Sequence, residues 1–216
     1  MTVFESSVRL AILARHHAQL ISSLSSLVPG LYLAVDDRKG KNKATPLDHL
    51  MDEMEHLDLS AQKSRVEFAS IRLLYQLVQS DSSTAFHDTL LEITSPRPTR
   101  LHPRSSNTPV AYSLPAVLPR EQLQYALKSA RALSPTSFNP LTYFALLHDP
   151  NASRYERIVL GCAEDKVRHR AWEVMRKAYI STELHWAGQV CGLKSGEEEW
   201  VKSKGASVVG TIVKLR

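Results

Sequence analysis

Cysteine and glycine are scarce in this chain of 216 residues, which contains two cysteines and eight glycines. Cys162 and Cys191 are too few for the disulfide framework of a small secreted protein, so they indicate a reducing compartment. An enzyme built on glycine-rich phosphate-binding loops would usually contain more glycine. No apolar run approaches the ~20 residues of a membrane span, and the first residues show no secretory signal pattern. We therefore expect a soluble intracellular protein that does not enter a membrane.

Enzyme motifs are also missing from the sequence: it has no HExxH, paired CxxC, P-loop or nucleophile elbow. His49, Glu53 and His56 share one face of a predicted helix, a spacing that could hold a metal ion. They lie away from the apolar stripe of that helix, however, and we interpret them as solvent-exposed. Both cysteines are interpreted as buried, unreactive thiols. We expect no catalysis, no metal and no cofactor.

The chain does contain 43% apolar residues and a net charge of +5, which fit a globular protein of one or two domains. The positive charge is unevenly placed. From Arg154 onward there are twelve lysines and arginines against eight acidic residues, a balance of +4. The basic character therefore belongs mainly to the C-terminal part of the chain.

Helical patterns dominate the N-terminal part of the sequence. Leucine spacing predicts one long amphipathic helix over residues 4–28, and the apolar residues of 64–78 lie all around a helix that we expect at the centre of a core. Capping residues followed by proline predict four further helix starts, at Thr45, Ser134, Asn139 and Asp149. These patterns favour an all-α body.

Residues 95–119 interrupt the helical patterns with six prolines and three arginines. We predict a long loop here, partly extended. A basic, proline-rich loop could bind a partner. The other interpretation is a surface loop without a binding role, which is the more common case for long loops.

The last third of the chain shows a different order of elements. Three helical segments follow Asp149, the third introduced by a predicted capping box from Ser195 to Glu198. A β-branched segment, residues 207–213, then predicts one strand. Three helices closed by a strand suggest a winged helix. We therefore predict a helical-repeat body over residues 1–150 and a winged-helix module over 151–216.

This order resembles a PCI module, the helical-repeat and winged-helix unit shared by subunits of the proteasome lid, the signalosome and initiation factors. The similar segments are YERIV at 155–159, VRHRAWEVMRKAY at 167–179, ELHWAGQVCGL at 183–193 and GASVVGTIV at 205–213. The N-terminal segments 8–12, 27–32 and 67–75 look like the preceding helices of the GANP and suppressor-of-actin branch, whose best-known members scaffold nuclear mRNA export. Because Arg216 ends the sequence, we expect a minimal wing, or one completed by a partner.

The resemblance implies assembly rather than catalysis. In that family two winged helices pack together, and the joint surface contacts nucleic acid or recruits a small acidic subunit. We therefore expect a second PCI-type subunit as partner, with a small acidic subunit as a further one. The expected location is the nucleus, with the cytoplasm as a second possibility.

Candidate site residues follow from the charge and the aromatic side chains of this module. Trp186, Trp200 and Val209 are the predicted partner-binding residues, although core packing of the two tryptophans is an equally good interpretation. Weak, sequence-independent nucleic-acid binding is predicted for the basic residues, with an ordinary solvated face as the alternative. Those basic residues are Lys166, Arg168, Arg170, Lys177, Lys202, Lys204 and Lys214. Three carboxylates from Glu197 to Glu199 argue against groove reading of DNA by the third helix.

The function predicted from the sequence is that of a non-enzymatic scaffold subunit in a nuclear complex for mRNA export or RNA metabolism. Two alternatives remain. One is a small subunit of a lid-type or signalosome-type complex, which a different set of partners would reveal. The other is a nucleic-acid-binding module that acts without a partner.

Overall fold

The computed structural model describes residues 2–34, 51–79, 83–98, 113–114 and 116–215. The protein is mainly helical and has a small three-stranded antiparallel sheet near its C-terminal end, which confirms the predicted fold class. The chain divides into two compact units, Met1–Ala126 and Leu127–Arg216. The second unit thus contains the predicted winged-helix module together with residues 127–150.

The first unit begins with two helices where the leucine spacing predicted one. Helix α1 spans Thr2–Leu13 and α2 spans His17–Ser25, followed by a π-helical turn over Ser26–Leu31. Between the helices Arg15 adopts a left-handed backbone with φ of 53°, and Nδ1 of His16 accepts a hydrogen bond from the amide of Gln19 at 3.2 Å. The prediction of one continuous helix is therefore wrong, since a side-chain cap restarts the helix without any glycine or proline at the break.

This break changes which leucines are buried. Leu20 and Leu24 of α2 lie in the core, as the predicted stripe requires. In α1 the core residues are Val8, Ala11 and Ile12, whereas Leu10 is 65% exposed. Residues on either side of the break do not share one helical phase, so a leucine stripe extrapolated across it points to the wrong face of α1.

Helix α3, Met51–Gln79, forms the centre of the first unit, as predicted for residues 64–78. Phe68, Ile71 and Leu74 are fully buried along it. Arg72 donates to the carbonyl of Val28 and pairs with Glu92 at 2.8 Å. Arg72 therefore joins α3 to the turn after α2 and to α4, which spans Ser83–Thr94. Several residues of interest lie outside what the structure describes. They are Thr45, where a helix start was predicted, His49, and the side chains of Glu53 and His56.

The proline-rich segment contains two short strands. Strand β1, Arg97–Pro98, pairs antiparallel with β2, Ser113–Leu114. Residues 99–112 lie outside the described parts of the chain. The predicted loop is thus extended where β1 and β2 pair, and a 3₁₀ turn, Arg120–Leu123, follows it.

Helices α5, Gln124–Leu133, and α6, Pro140–Leu147, precede the winged helix. Asn139 caps α6, accepting from the amide of Thr142 at 3.0 Å, and Pro140 is in its first turn, as predicted. The other two described proline pairs do not start helices. Ser134 follows the end of α5, and Asp149 leads a turn.

Helix α7, Arg154–Gly161, starts after that turn, where Ser153 and Glu156 form a capping box. The Ser153 hydroxyl accepts from the Glu156 amide at 3.1 Å, and the Glu156 carboxylate accepts from the Ser153 amide at 2.8 Å. The nearest proline was therefore a weaker start signal than this reciprocal pair of hydrogen bonds.

The winged helix comprises α8, Glu164–Ala178, then β3, Ser181–Glu183, α9, Leu184–Val190, α10, Glu197–Ser203, β4, Ser207–Val209, and β5, Ile212–Lys214. The strand order is β3-β5-β4, and both pairings are antiparallel. Residues 207–213 were predicted to form one strand, but they form a hairpin whose turn includes Gly210 with φ of 62°. The wing is therefore a small sheet of three-residue strands formed within this chain, which agrees with the expected minimal wing and not with one completed by a partner.

Candidate interaction surface

Trp200 of helix α10 packs within the winged helix. Its ring meets that of Trp172 edge to face, with the centroids 5.3 Å apart. Trp172 is fully buried in the module's core, and Trp200 packs against that core while remaining partly exposed. The ammonium of Lys204 lies 5.4 Å from the centroid of the Trp200 ring. Core packing is thus the observed arrangement of Trp200, and its role as an interface anchor stays a prediction.

Trp186 of helix α9 also has an internal contact. Its ring stands edge-on to Tyr179, with centroids 5.5 Å apart. Tyr179 and the next residue, Ile180, are both exposed where α8 leads into β3. The indole of Trp186 therefore supports an exposed aromatic residue that the sequence reasoning did not select.

The outer face of the sheet presents an apolar pair. Val213 at the centre of β5 is buried, and its cross-strand neighbour Val208 packs against the core. In the next register row Val209 pairs with Ile212, and these two side chains are 60% and 50% exposed. Because side chains alternate between the faces of a sheet, this row lies on the solvent side. The exposed row continues onto β3 with Glu183.

Ile212 is a surface residue that the sequence reasoning missed. On one continuous strand, residues 209 and 212 would lie on opposite faces. The hairpin reverses the chain between them and brings both onto the same face. Val209, which was predicted to bind a partner, is therefore half of an exposed pair.

Arg168, predicted to bind nucleic acid, has internal partners. Its Nε donates to the carbonyl of Cys191 at 3.0 Å, and its Nη atoms lie 2.6 and 3.0 Å from the carboxylates of Glu164 and Asp165. Only 18% of the side chain is exposed. Arg168 thus ties the start of α8 to the end of α9.

Arg170 is also engaged within the second unit. Its guanidinium carbon lies 4.1 Å from the centroid of the Phe138 ring, and Nη1 donates to the carbonyl of Leu133 at 3.0 Å. This arrangement holds the segment between α5 and α6 against α8. A phosphate at Arg170 would have to compete with these contacts.

The remaining basic candidates are more exposed. Lys166 and Lys177 lie on the solvent side of α8, where both also have contacts within the protein. Lys202 pairs with Glu198 at 2.6 Å, and Lys214 lies on the outer face of β5. The predicted nucleic-acid residues are therefore spread over α8, α10 and β5.

The first turn of α10 is acidic, as the sequence indicated. It contains Glu197, Glu198 and Glu199, and Glu197 lies 3.7 Å from Nδ1 of His185. The predicted capping box is wrong: Gly196 precedes the helix with φ of 70°, there is no side-chain cap, and Glu198 turns instead to Lys202. A helix that begins with three carboxylates is poorly suited to a DNA groove.

The two cysteines differ in exposure. Cys191 is buried at the end of α9, and its burial raises the pKa of the thiol to about 12 against the opposing effect of Arg168. This residue matches the predicted inert thiol. Cys162 is exposed, contrary to expectation, and its Sγ lies 3.4 Å from the carbonyl of Ile158.

Within the described residues, no group of three or more potential metal ligands occurs.

The fold and this surface define the chain as a helical protein whose winged helix exposes an apolar pair on its sheet. In comparisons with known proteins, no family model matches the chain, and no curated protein is significantly similar to it. Among its described helices, none has both the length and the apolar character required to cross a membrane.

Proposed function

We propose that this protein is a non-enzymatic scaffold subunit of a multiprotein complex and that it binds its partner through the outer face of the wing. The observation that supports this most directly is the Val209–Ile212 pair, 60% and 50% exposed on adjacent strands. Covering the exposed parts of these side chains would contribute about 1 kcal/mol each to association. Contiguous exposed apolar surface is a feature of protein-binding sites, and these two side chains are adjacent.

The electrostatics of the module favour a protein partner over DNA. The helix that would enter a DNA groove begins with Glu197, Glu198 and Glu199. Two of the basic candidates, Arg168 and Arg170, are occupied by contacts within the module. A protein partner needs neither a basic recognition helix nor free arginines.

The resemblance to PCI modules suggests which complex this is. In the proposal the protein is a subunit of a nuclear complex for mRNA export or RNA metabolism, pairs with a second PCI-type subunit and can recruit a small acidic one. A lid-type or signalosome-type complex is the alternative assignment. The two differ in the identity of the partner, not in the surface that binds it.

The test is affinity purification of the tagged full-length chain from its source cells, followed by mass spectrometry. We expect Val209→Asp to lose the partner, because a carboxylate would be buried in an apolar contact. Leu91→Asp is the matched control, since Leu91 lies on α4 in the first unit and is also 60% exposed. Loss of the same partner in both variants, or retention in Val209→Asp, would contradict the proposed surface.

A further inference from the structure

Helix α2 is capped by a histidine. The backbone of His16 is non-helical, with φ of −92° and ψ of 87°, and its Nδ1 accepts a hydrogen bond from the amide of Gln19 at 3.2 Å. The first amides of a helix have no partner within the helix, so a side chain that accepts from one of them stabilises the helix start. Serine, threonine, aspartate and asparagine usually occupy this position, and none of them gains a proton near neutral pH.

The imidazole of His16 can accept this hydrogen bond only in its neutral form. A protonated imidazole carries a hydrogen on both ring nitrogens and has no acceptor left. Its positive charge would also lie at the N-terminal end of α2, where the helix dipole is already positive. Protonation therefore acts against the start of α2 in two ways.

The cap belongs to the joint between α1 and α2. Arg15, the residue before the cap, has a left-handed backbone with φ of 53°, an unfavourable conformation for a residue with a Cβ. The side-chain amide of Gln19 donates to Oγ of Ser7 in α1 at 3.1 Å and to Oγ of Ser23 in α2 at 3.3 Å. Gln19 thus joins the two helices through its side chain while His16 holds its backbone amide.

The charges around His16 offer a proton no compensation. The charged and titratable residues of α1, α2 and the joint are Glu5, Arg9, Arg15, His16 and His17. Glu5 is buried, Arg9 pairs with Glu67 of α3 at 3.0 Å, and the ring of His17 lies 6.1 Å from that of Tyr75 of α3, centroid to centroid. Among the described residues that line the groove beside His16, all the others are uncharged. Exposed Arg15 adds a second positive charge next to the cap.

We propose that His16 is a pH-sensitive cap and that its protonation loosens the joint between α1 and α2. Histidine side chains change charge between about pH 8 and pH 5. Since the cap needs the neutral imidazole, the unfolded chain binds more protons than the folded chain over this range. The stability that the cap contributes is therefore present at the upper end of the range and is lost as the pH falls.

The first test compares the full-length wild-type chain with His16→Asn, because asparagine caps a helix without titrating. Urea unfolding of the first unit, followed by circular dichroism, gives an equilibrium constant for each chain at each pH. The wild-type constant divided by that of His16→Asn should rise about fivefold from pH 8 to pH 5, the size expected for the loss of one cap. This ratio cancels the titration of the histidines that both chains share. His17→Asn is the matched control, and it should show the same rise relative to His16→Asn.

The amide of Gln19 provides a site-specific readout. In proton–nitrogen correlation spectra its resonance should move between pH 8 and pH 5 in the wild type and in His17→Asn, because its acceptor is lost. It should stay in place in His16→Asn. A ratio that is constant with pH would overturn the proposal. So would a wild-type Gln19 resonance that does not move, or one that moves equally in His16→Asn. Since Val209→Asp tests the wing alone, failure of the proposed function would leave this result unaffected.

Discussion

The indole of Trp200 stands edge-on to that of Trp172, with the ring centroids 5.3 Å apart. This contact joins α10 to α8 inside the winged helix. It therefore ties the position of the helix that leads into the hairpin to the core of the module.

Replacing Trp200 with alanine should lower the free energy of unfolding of the second unit by about 2 to 3 kcal/mol. A fully buried tryptophan would cost about 3 to 5 kcal/mol, and Trp200 remains partly exposed. Urea unfolding followed by circular dichroism measures the change. Val209→Ala is the control, with an expected change below about 0.5 kcal/mol; equal losses in the two variants would contradict the packing role of Trp200.

Gly192→Ala should destabilise the second unit more than Gly196→Ala. Both glycines have left-handed backbones, with φ of 65° and 70°. A Cβ at position 192 would overlap the ring of Phe144, whereas position 196 has open space around it. Gly192 also follows α9 in a Schellman arrangement, in which the amide of Leu193 donates to the carbonyl of Gly188 at 2.9 Å.

We expect the alanine at 196 to cost about 1 kcal/mol, the ordinary penalty of a left-handed residue. The alanine at 192 should add about 1 to 3 kcal/mol of overpacking to that penalty. Thermal unfolding of the two variants side by side measures the difference. Similar melting temperatures would show that the Phe144 ring yields without cost.

One thiol of the native protein should react with a disulfide reagent at pH 8, and both should react in denaturant. Cys162 is exposed, while burial raises the pKa of the Cys191 thiol to about 12 and keeps it protonated. A native Cys162→Ser variant should therefore give no rapid reaction. Rapid modification of native Cys191 would contradict its burial.

The raised pKa of the Cys191 thiol also determines the direction in which the free energy of unfolding changes at alkaline pH. The ordinary pKa of the thiol is 9.0, so the unfolded chain loses this proton at lower pH than the folded chain does. Unfolding becomes more favourable as the pH rises above that value. In Cys191→Ala, the part of the decline in stability that this thiol causes should disappear.

Nucleic-acid binding, if it occurs through the exposed lysines, should be weak, salt-sensitive and independent of sequence. For about four neutralised phosphates, log affinity for a duplex should fall against log salt with a slope of roughly −3 to −4. Lys166→Glu with Lys214→Glu should weaken binding to all sequences equally. Fluorescence anisotropy at several salt concentrations provides the measurement.

Arg168→Glu is unsuitable for this experiment, because it would place a carboxylate beside Glu164 and Asp165 and remove the bond to Cys191. Its effect on binding would be mixed with a loss of stability. A preference for one sequence in the lysine experiment would mean that the acidic start of α10 does not prevent base reading. Absence of binding at low salt would remove nucleic acid from the expected partners.

The sequence by itself determined the helical class, the buried centre of α3, the Asn139–Pro140 helix start and the three helices of the winged helix, but neither β3 nor the hairpin of β4 and β5. These features depend on residues close together in the chain. Apolar periodicity over one helix and a cap next to its proline are local signals, so they can be recognised without knowing what packs against them.

Tertiary structure decided which faces those elements expose. Arg15 and His16 reset the helical phase between α1 and α2, leaving Leu10 on the surface. The turn at Gly210 placed Val209 and Ile212 on one face of the sheet. In both cases one or two residues interrupt the helical or strand repeat, and a side chain beyond them faces the solvent instead of the core. Periodicity measured across the break or the turn cannot register that change, because it assumes one unbroken helix or strand.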